Sequence, residues 1–499
     1  MKEGKPMKVC HSTTQTCEKH TDRDLAQQWK SIDWKKVRSS VNRLQIRIAK
    51  AMQEENGNLV KRLSYLLTHS HSAKLLAVRI VTQNKGKCTP GVDGELWNTA
   101  FEKMRAVLSL TNTQYCTQPL RRIYIPKPGK DTKRPISIPT MYDRAMQALY
   151  GLALQPIAET TADPRSFGFR LFRSAQDASE YAFLCLSREN SNQWILEGDI
   201  RGCFDTISHD WPKDHIPMNQ SVLTQFLKAG FVFDQTLFPT DKGTPQGGIV
   251  SPILANMTLD GMEKTLNARF PRMRVYFIRY ADDFLVITPT KETAEEARDT
   301  LREFLSLRGL ELSTEKTLIT HMNEGFDFLG YNFRKYKGTL PIKPSKKSIQ
   351  SIVTKIRMTV KKAKAWTQDA LIKTLNPIIR GWANYHRHIV AKETFKKLDA
   401  YLWKVTWQWG KCRHPSKGHK WIARKYWHSE GSRNWVFQTK ENTLLQFSDA
   451  SIRRHAFPKL QANPYLDRKY FLERRDRMRR QTPWIQTTLS YFALLPSNG

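Results

Sequence analysis

The chain has 499 residues, 40% of them hydrophobic, which is enough to build folded cores and excludes wholesale disorder. Its 81 Lys and Arg exceed its 46 Asp and Glu by 35, an excess that repels itself in a compact state and calls for a polyanionic partner. The length and the 11% aromatic content set it apart from small, generically basic ribosomal or chromatin proteins.

Residues 1–22 are polar and are expected to form a disordered tail. Cys10, Cys17 and His20 are read as part of that tail rather than as zinc ligands. From Asp24 to Val81 the pattern is helical: Leu44, Ile46, Ile48 and Met52, then Leu59, Leu63, Leu66 and Leu67, recur among basic residues. Residues 84–94 (NKGKCTPGVDG) read as a loop. Residues 121–139 (RRIYIPKPGKDTKRPISIP) read as a basic hairpin around a Pro-Gly-Lys-Asp turn, and Asp143–Glu159 as helix.

Trp194–Ile200 predicts a buried strand that carries an acid near its end. Residues 243–252 (GTPQGGIVSP) form a Gly-rich loop leading into a helix. Residues 275–287 (VYFIRYADDFLVI) predict two strands with acids at their turn, Ala294–Leu307 an amphipathic helix, and residues 325–333 (GFDFLGYNF) another strand pair. After Pro344, Ile349, Ile352, Val353, Ile356 and Val360 mark a helix whose other face carries Lys355, Arg357, Lys361 and Lys362. More helix is expected to about Lys411, then an irregular, Trp-rich basic tail.

No apolar run approaches the ~20 residues that cross a bilayer, and residues 1–20 contain no signal-peptide core. The seven cysteines are odd in number and never pair as C-x-x-C, which suits a reduced, intracellular protein. Residues 341–499 hold 33 Lys and Arg against 9 Asp and Glu, so +24 of the +35 lies there, together with nine of the fourteen Trp. Basic side chains interleaved with aromatics suit phosphate contact and base stacking.

An aspartate pair between apolar strands is costly unless cations neutralise it. If Asp199, 83 positions before Asp282, ends a neighbouring strand, three carboxylates meet at one point. Such an oxygen cluster suits Mg²⁺. Two ions about 4 Å apart can activate a 3′-hydroxyl and stabilise a leaving pyrophosphate. A single Asp in such a place reads equally as a turn or cap residue. The Gly-rich loop is no P-loop, because no Gly-Lys-Ser/Thr follows.

Several ordered elements carry a family resemblance. They are NKGKCTPGVDG, IPKPGKDTKRPISIPTMYDRAMQAL, SFGFR (Ser166–Arg170), GDIRGCFDTISH, GTPQGGIVSPILAN, IRYADD, GFDFLGYNF and LNPIIRGWANYH. Over residues 29–475 the chain closely resembles the reverse transcriptase–maturases encoded by group II introns. The resemblance implies an α+β right-hand polymerase: fingers, a palm with an antiparallel sheet and a helical thumb, then a basic DNA-binding segment. The expected divisions are a tail (1–22), an N-terminal helical extension (23–100), fingers and palm (101–345), thumb or maturase domain X (346–430) and DNA-binding segment (431–499).

The same resemblance implies roles. Asp199 and Asp282 are the principal ligands of two Mg²⁺ ions, with Mn²⁺ as a substitute, Asp283 the third acid and the Ile200 carbonyl assisting. Phe204 matches the aromatic gate that leaves no room for a 2′-hydroxyl. Gln246 matches a contact to the incoming nucleotide. Lys127 and Arg134, with Arg121 the weaker candidate, grip the dNTP triphosphate, and Lys316 protonates pyrophosphate. Lys355, Lys361 and Lys362 face nucleic acid from the thumb, whereas Trp382 is read as core. Arg474, Arg475, Arg477, Arg479 and Arg480 are expected to bind DNA.

The partners implied are a group II intron RNA, an RNA template with DNA primer, target DNA and dNTPs. A monomer and a homodimer are both compatible, in the bacterial cytoplasm, on the nucleoid, or in an organelle. Two departures stand out. Leu171-Phe172 follows SFGFR where other residues are usual, and no Cys follows Cys412, so no HNH endonuclease is expected. Alternatives to an RNA-directed DNA polymerase that also promotes splicing are a splicing-only maturase and a reverse transcriptase recruited to defence or spacer acquisition. An RNA-dependent RNA polymerase is disfavoured by Phe204 and YADD.

Overall fold

Helix caps organise the amino-terminal region. Thr21 and Asp24 form a capping box, so helix Asp22–Lys30 begins just inside the stretch expected to be disordered. Asp33, Asn56 and Ser70 cap helices Trp34–Gln53, Gly57–His69 and His71–Gln83. Ile48, Leu63 and Leu67 are buried as the periodicity predicts, but Leu66 is 53% exposed. These helices pack on helix Met141–Thr161, which is buried nearly all round and forms the centre of the first core. The computed structural model describes residues 21–126, 133–431 and 433–481, the side chains of 479–481 excepted. Cys10, Cys17, His20 and Lys127, and the side chains of Arg479 and Arg480, lie outside the described residues.

The basic hairpin is present. Strand Leu120–Pro126 pairs antiparallel with Lys133–Ile138, its other edge pairs parallel with Phe231–Phe233, and that strand in turn pairs antiparallel with Thr236–Phe238. A second sheet sits at the centre of the molecule. It is antiparallel, in the order Tyr276–Tyr280, Asp283–Thr288, Trp194–Asp199, Leu318–His321. Its alternation is strict. Leu196, Phe277, Phe284 and Val286 face a core with helix Lys291–Ser306, while Ile195, Ile278, Leu285 and Ile287 face another that reaches the carboxy-terminal helices. With apolar residues on both faces, the pairing register is held from both sides.

Strands Phe326–Phe328 and Tyr331–Phe333 lead into helices Lys346–Lys362, Gln368–His386 and Lys392–Arg413. Trp382 packs against Phe395 and Phe447 and donates Nε1–H to Ser348 Oγ at 3.2 Å, a core role as expected.

The region after Lys411 departs from expectation. It contains helix His419–Tyr426, a hairpin of Trp427–Glu430 with Arg433–Phe437, and helix Arg468–Gln481. Arg474 is not placed to bind DNA. It is buried, ion-paired with Asp177, and donates to the Ala456 and Phe172 carbonyls. His455 Nε2 lies 2.7 Å from the same Asp177 carboxylate. Burial alone would raise Asp177, but His455 and Arg474 overcome it and hold the carboxyl below its usual range. Arg475 is largely covered and pairs with Asp476, while Arg477 is exposed. The unusual Leu171-Phe172 forms the seat for this segment. Leu171 packs with Ala49 and Tyr465, and Phe172 stacks on Phe471 at 5.2 Å.

Two histidines make the helical region acid-sensitive. Burial holds His386 and His388 down to about 3. Between pH 6.5 and 3 they are neutral in the fold and charged in the unfolded chain, so the unfolded state binds more protons and stability falls as pH drops. The loss is on the order of 2 kcal/mol per histidine at pH 5. Thermal melts should therefore show Tm falling from pH 7.5 to pH 5, and a flat profile would contradict neutral burial of this pair.

Candidate active site

Strand pairing builds the site. In the central sheet Asp199 stands directly opposite Asp283, and Tyr280 pairs with Asp283 across the turn. Ala281 and Asp282 therefore form a two-residue hairpin loop. Such loops need a positive φ, and Ala281 supplies it at 59°, a conformation unfavourable for a residue with a Cβ. Residues far apart in the chain thus bring Asp199, Asp282 and Asp283 to one edge of the sheet.

Neighbouring groups hold the strained tip. The Phe167 amide donates to the Arg279 carbonyl at 2.8 Å, and the Arg279 amide to the Arg165 carbonyl at 3.0 Å. Gly168 lies so close that a Cβ there would stand 2.3 Å from the Ala281 nitrogen. Arg279 is wholly buried behind the turn, ion-paired with Asp260 and donating to Asn256 Oδ1 at 3.1 Å. A buried charge so paired is costly to leave alone, which ties the hairpin to helix Ser251–Leu259 and the residue after it.

The electrostatics call for cations. Asp283 is exposed at the tip but walled in on its protein side. That crowding, with the Asp282 and Asp199 carboxylates, pushes it up to about 7. Desolvation and Asp199 also raise Asp282, against the lowering fields of Lys316 and Arg134. Lys316 Nζ lies 2.7 Å from Asp199 Oδ2, and this bond raises the lysine. Among the described residues no three His, Cys, Asp or Glu side chains stand in a finished metal-binding arrangement. The donor set nonetheless fits hard divalent cations. It is all oxygen, and Asp282 and Asp283 stay raised although Lys316 and Arg134 partly offset the crowding. Ile200 follows Asp199 directly. It bridges Leu312 through bonds made by the Asp199 carbonyl and the Arg201 amide, neither of which uses the Ile200 carbonyl.

The nucleotide candidates surround these acids. Phe204 is half-buried, with one side on the core beneath the sheet and Phe169 edge-on at 6.2 Å. Gln246 Nε2 donates to Asp205 Oδ2 at 2.9 Å, and its carbonyl accepts from the Ser137 amide at 2.7 Å. Gly247, at φ 114°, lets the loop pass where a Cβ would stand 2.7 Å from the Ser137 oxygen. The Gly-rich loop is thus clasped between Asp205 and the basic hairpin. Arg134 reaches close enough to act on Asp282. Arg121 is half-buried at the start of the hairpin, its Nε without a hydrogen-bond partner among the described residues. Lys355, Lys361 and Lys362 are exposed on their helix, away from these contacts.

Asp205, Arg279 and the Gly168–Phe169 turn had no role in the sequence reading. Asp205 lay within GDIRGCFDTISH, but its partner Gln246 is 41 residues away. An arginine inside an apolar strand was the one visible sign for Arg279.

Comparison with known proteins accords with this geometry. Residues 125–333 match the reverse transcriptase (RNA-dependent DNA polymerase) family, residues 29–110 the N-terminal domain of reverse transcriptase, and residues 349–427 the group II intron maturase-specific domain. Group II intron-encoded protein LtrA of Lactococcus lactis subsp. cremoris is 30% identical over 367 residues, 59% of this chain and 60% of that one. The chain therefore spans less than two thirds of that relative's length. Protein YkfC of Escherichia coli (strain K12) is 32% identical over 301 residues, 51% of this chain and 78% of that one. Maturase-like protein 1 of Euglena gracilis is 25% identical over 369 residues, 71% and 76% of the two chains.

The contact behind the turn yields a test. Gly168→Ala must displace Ala281 and with it Asp282. Misplacement on the order of 1 Å costs about 100-fold in rate, so nucleotide incorporation should fall by that order while RNA affinity holds. Unchanged incorporation would show that the Gly168 loop does not position the hairpin.

Proposed function

The chain belongs to the family of group II intron-encoded reverse transcriptases and maturases, and from that premise we propose that it copies RNA into DNA and also binds its intron RNA to promote splicing. The observation that carries the polymerase reading is the register placing Asp199 opposite Asp283 at the tip of the Tyr280–Asp283 hairpin. Asp199, Asp282 and Asp283, with the Ile200 carbonyl, would hold two magnesium ions. When bound, these supply Lewis-acid activation of a primer 3′-hydroxyl and neutralise charge on the leaving pyrophosphate.

The chain's own residues do the rest. Phe204, backed by the core and by Phe169, presents a ring where the nucleotide sugar would lie and excludes a 2′-hydroxyl. Gln246, tethered to Asp205, steadies the loop beside the incoming base pair. Arg134, Arg121 and Lys127 supply positive charge for the triphosphate. Lys316, kept protonated by Asp199, is placed to give a proton to departing pyrophosphate. The exposed Lys355, Lys361 and Lys362 contact phosphates of the template–primer duplex or intron RNA. Reverse transcription of the intron at a DNA target would join both activities in one protein.

Primer extension on an RNA template with Mg²⁺ and dNTPs tests the reading. Wild type should extend, and Asp282→Ala should abolish extension while RNA affinity stays within about twofold, since no phosphate contact is removed. No extension by wild type would leave a splicing-only maturase. Phe204→Ala should admit ribonucleotides, raising their incorporation relative to dNTPs by about 10-fold or more. Unchanged sugar discrimination would remove Phe204 from the gate.

A further inference from the structure

Indole rings are normally kept from water, yet a group of them lies open on the surface of the carboxy-terminal helical region. Trp403 and Trp407, one turn apart on helix Lys392–Arg413, stack with centroids 5.5 Å apart and planes 9° from parallel. Trp435, on strand Arg433–Phe437, meets Trp407 edge-on at 6.2 Å, and buried Trp427 packs on Trp407 at 5.0 Å. Trp403 is 44% exposed and Trp435 54%, whereas Trp409 on the same helix is 4% exposed and gives its Nε1–H to the Ala363 carbonyl. The fold can therefore bury a tryptophan here, and it leaves two of this group outside.

A second observation marks the same place. Trp435 has φ 63°, a left-handed conformation that a bulky side chain adopts only when its surroundings impose it. It lies where the hairpin's pairing is irregular, between His428 opposite Val436 and Glu430 opposite Arg433, and at this bulge the ring stands against Trp407. The segment is strongly basic: residues 403–435 hold eight Lys and Arg and one acid, Glu430, although Arg433 is ion-paired with Asp449 from outside the segment. Lys404 and Lys411, adjacent to or one turn beyond the stacked pair, are exposed.

Preformed ring faces among cations suit flat aromatic groups joined by phosphates. The bases of an A-form duplex are stacked inside and present no face, whereas loops and bulges of folded RNA do. We propose that Trp403, Trp407 and Trp435 form a stacking platform for unpaired bases of bound RNA, with Lys404 and Lys411 facing the adjoining phosphates. This rests on the RNA-binding reading above and deepens it, naming the kind of RNA and the contact. The excess of cations in this segment, with Lys404 and Lys411 exposed beside the rings, favours a polyanion over a second protein, and the small ring cluster favours single bases over a lipid surface.

The test uses the full chain and its Trp403→Ala/Trp435→Ala variant. Binding is measured by fluorescence anisotropy to an unstructured RNA of about 12 nucleotides, a duplex RNA of equal length and a single-stranded DNA of the same sequence. Phosphatidylserine vesicles and sedimentation of the free protein complete the set. The variant should bind single-stranded RNA about 10-fold or more weakly, with duplex affinity unchanged within about twofold. The slope of log affinity against log salt should stay put, because no cation is removed, whereas Lys404→Gln/Lys411→Gln should lower it. Wild type should bind the RNA strand at least as tightly as the DNA strand.

Equal loss on duplex and single strand, no loss on either, or a Trp-dependent preference for DNA would overturn the proposal. Loss of vesicle binding or of a dimer with RNA binding intact would overturn it too. If the alanine variant melts early, quenching of wild-type tryptophan fluorescence by single-stranded but not duplex RNA carries the same test, and equal quenching refutes it. Failure of the underlying reading looks different: the wild-type chain would bind no RNA of any form.

Discussion

Two antiparallel strands, paired from Trp194 opposite Thr288 to Asp199 opposite Asp283, set the geometry on which the rest of the molecule depends. A shift of one residue would move every side chain to the other face of the sheet and carry Asp199 out of line with the hairpin tip. That shift is blocked from both sides. Leu196 and Val286 are packed into one core and Ile195 and Ile287 into the other, so hydrophobic burial pins the register and the register places the acids. Folding energy from apolar contacts is thereby converted into crowding of carboxylates, which the raised Asp282 and Asp283 record. Carboxylates that resist their own ionisation, eased only in part by Lys316 and Arg134, are prepared for divalent cations.

The same division of labour runs outward from the tip. Arg279, wholly buried, and the Gly168 turn fix the hairpin from behind. Phe204, Gln246 and Arg134 stand before it, on elements anchored elsewhere: the core beneath the sheet, Asp205, and the basic hairpin. Chemistry, sugar choice and phosphate contact are therefore separable, and substitutions in one set need not unfold another.

The central sheet was legible in the sequence because alternation and strand ends are local signals. Asp199, at the end of one apolar run, and Asp282 and Asp283, between two others, marked a meeting point on the condition that their strands were neighbours. What could not be read was order imposed from a distance. The segment around Arg474 looked like a solvated basic tail, yet Asp177, 297 residues earlier, pulls that arginine inside. Leu171-Phe172 seemed an oddity within a loop until Phe471 was found stacked on it. Leu66 shows the opposite error: its spacing suits the core stripe, but helix Gly57–His69 turns it outward. Asp205 and the Gly168 turn lay in quoted motifs and acquired meaning only through their contacts.

Direct location of the ions is the sharpest test of the convergence. Crystals of the chain with RNA template, DNA primer and a non-hydrolysable dNTP, soaked in Mn²⁺, would reveal manganese by anomalous scattering. Two peaks about 3.5–4 Å apart are expected, both within ligand distance of Asp199 and Asp282. Manganese bound elsewhere, or an occupied complex with residue 199 and the hairpin tip apart and no metal between them, would contradict it.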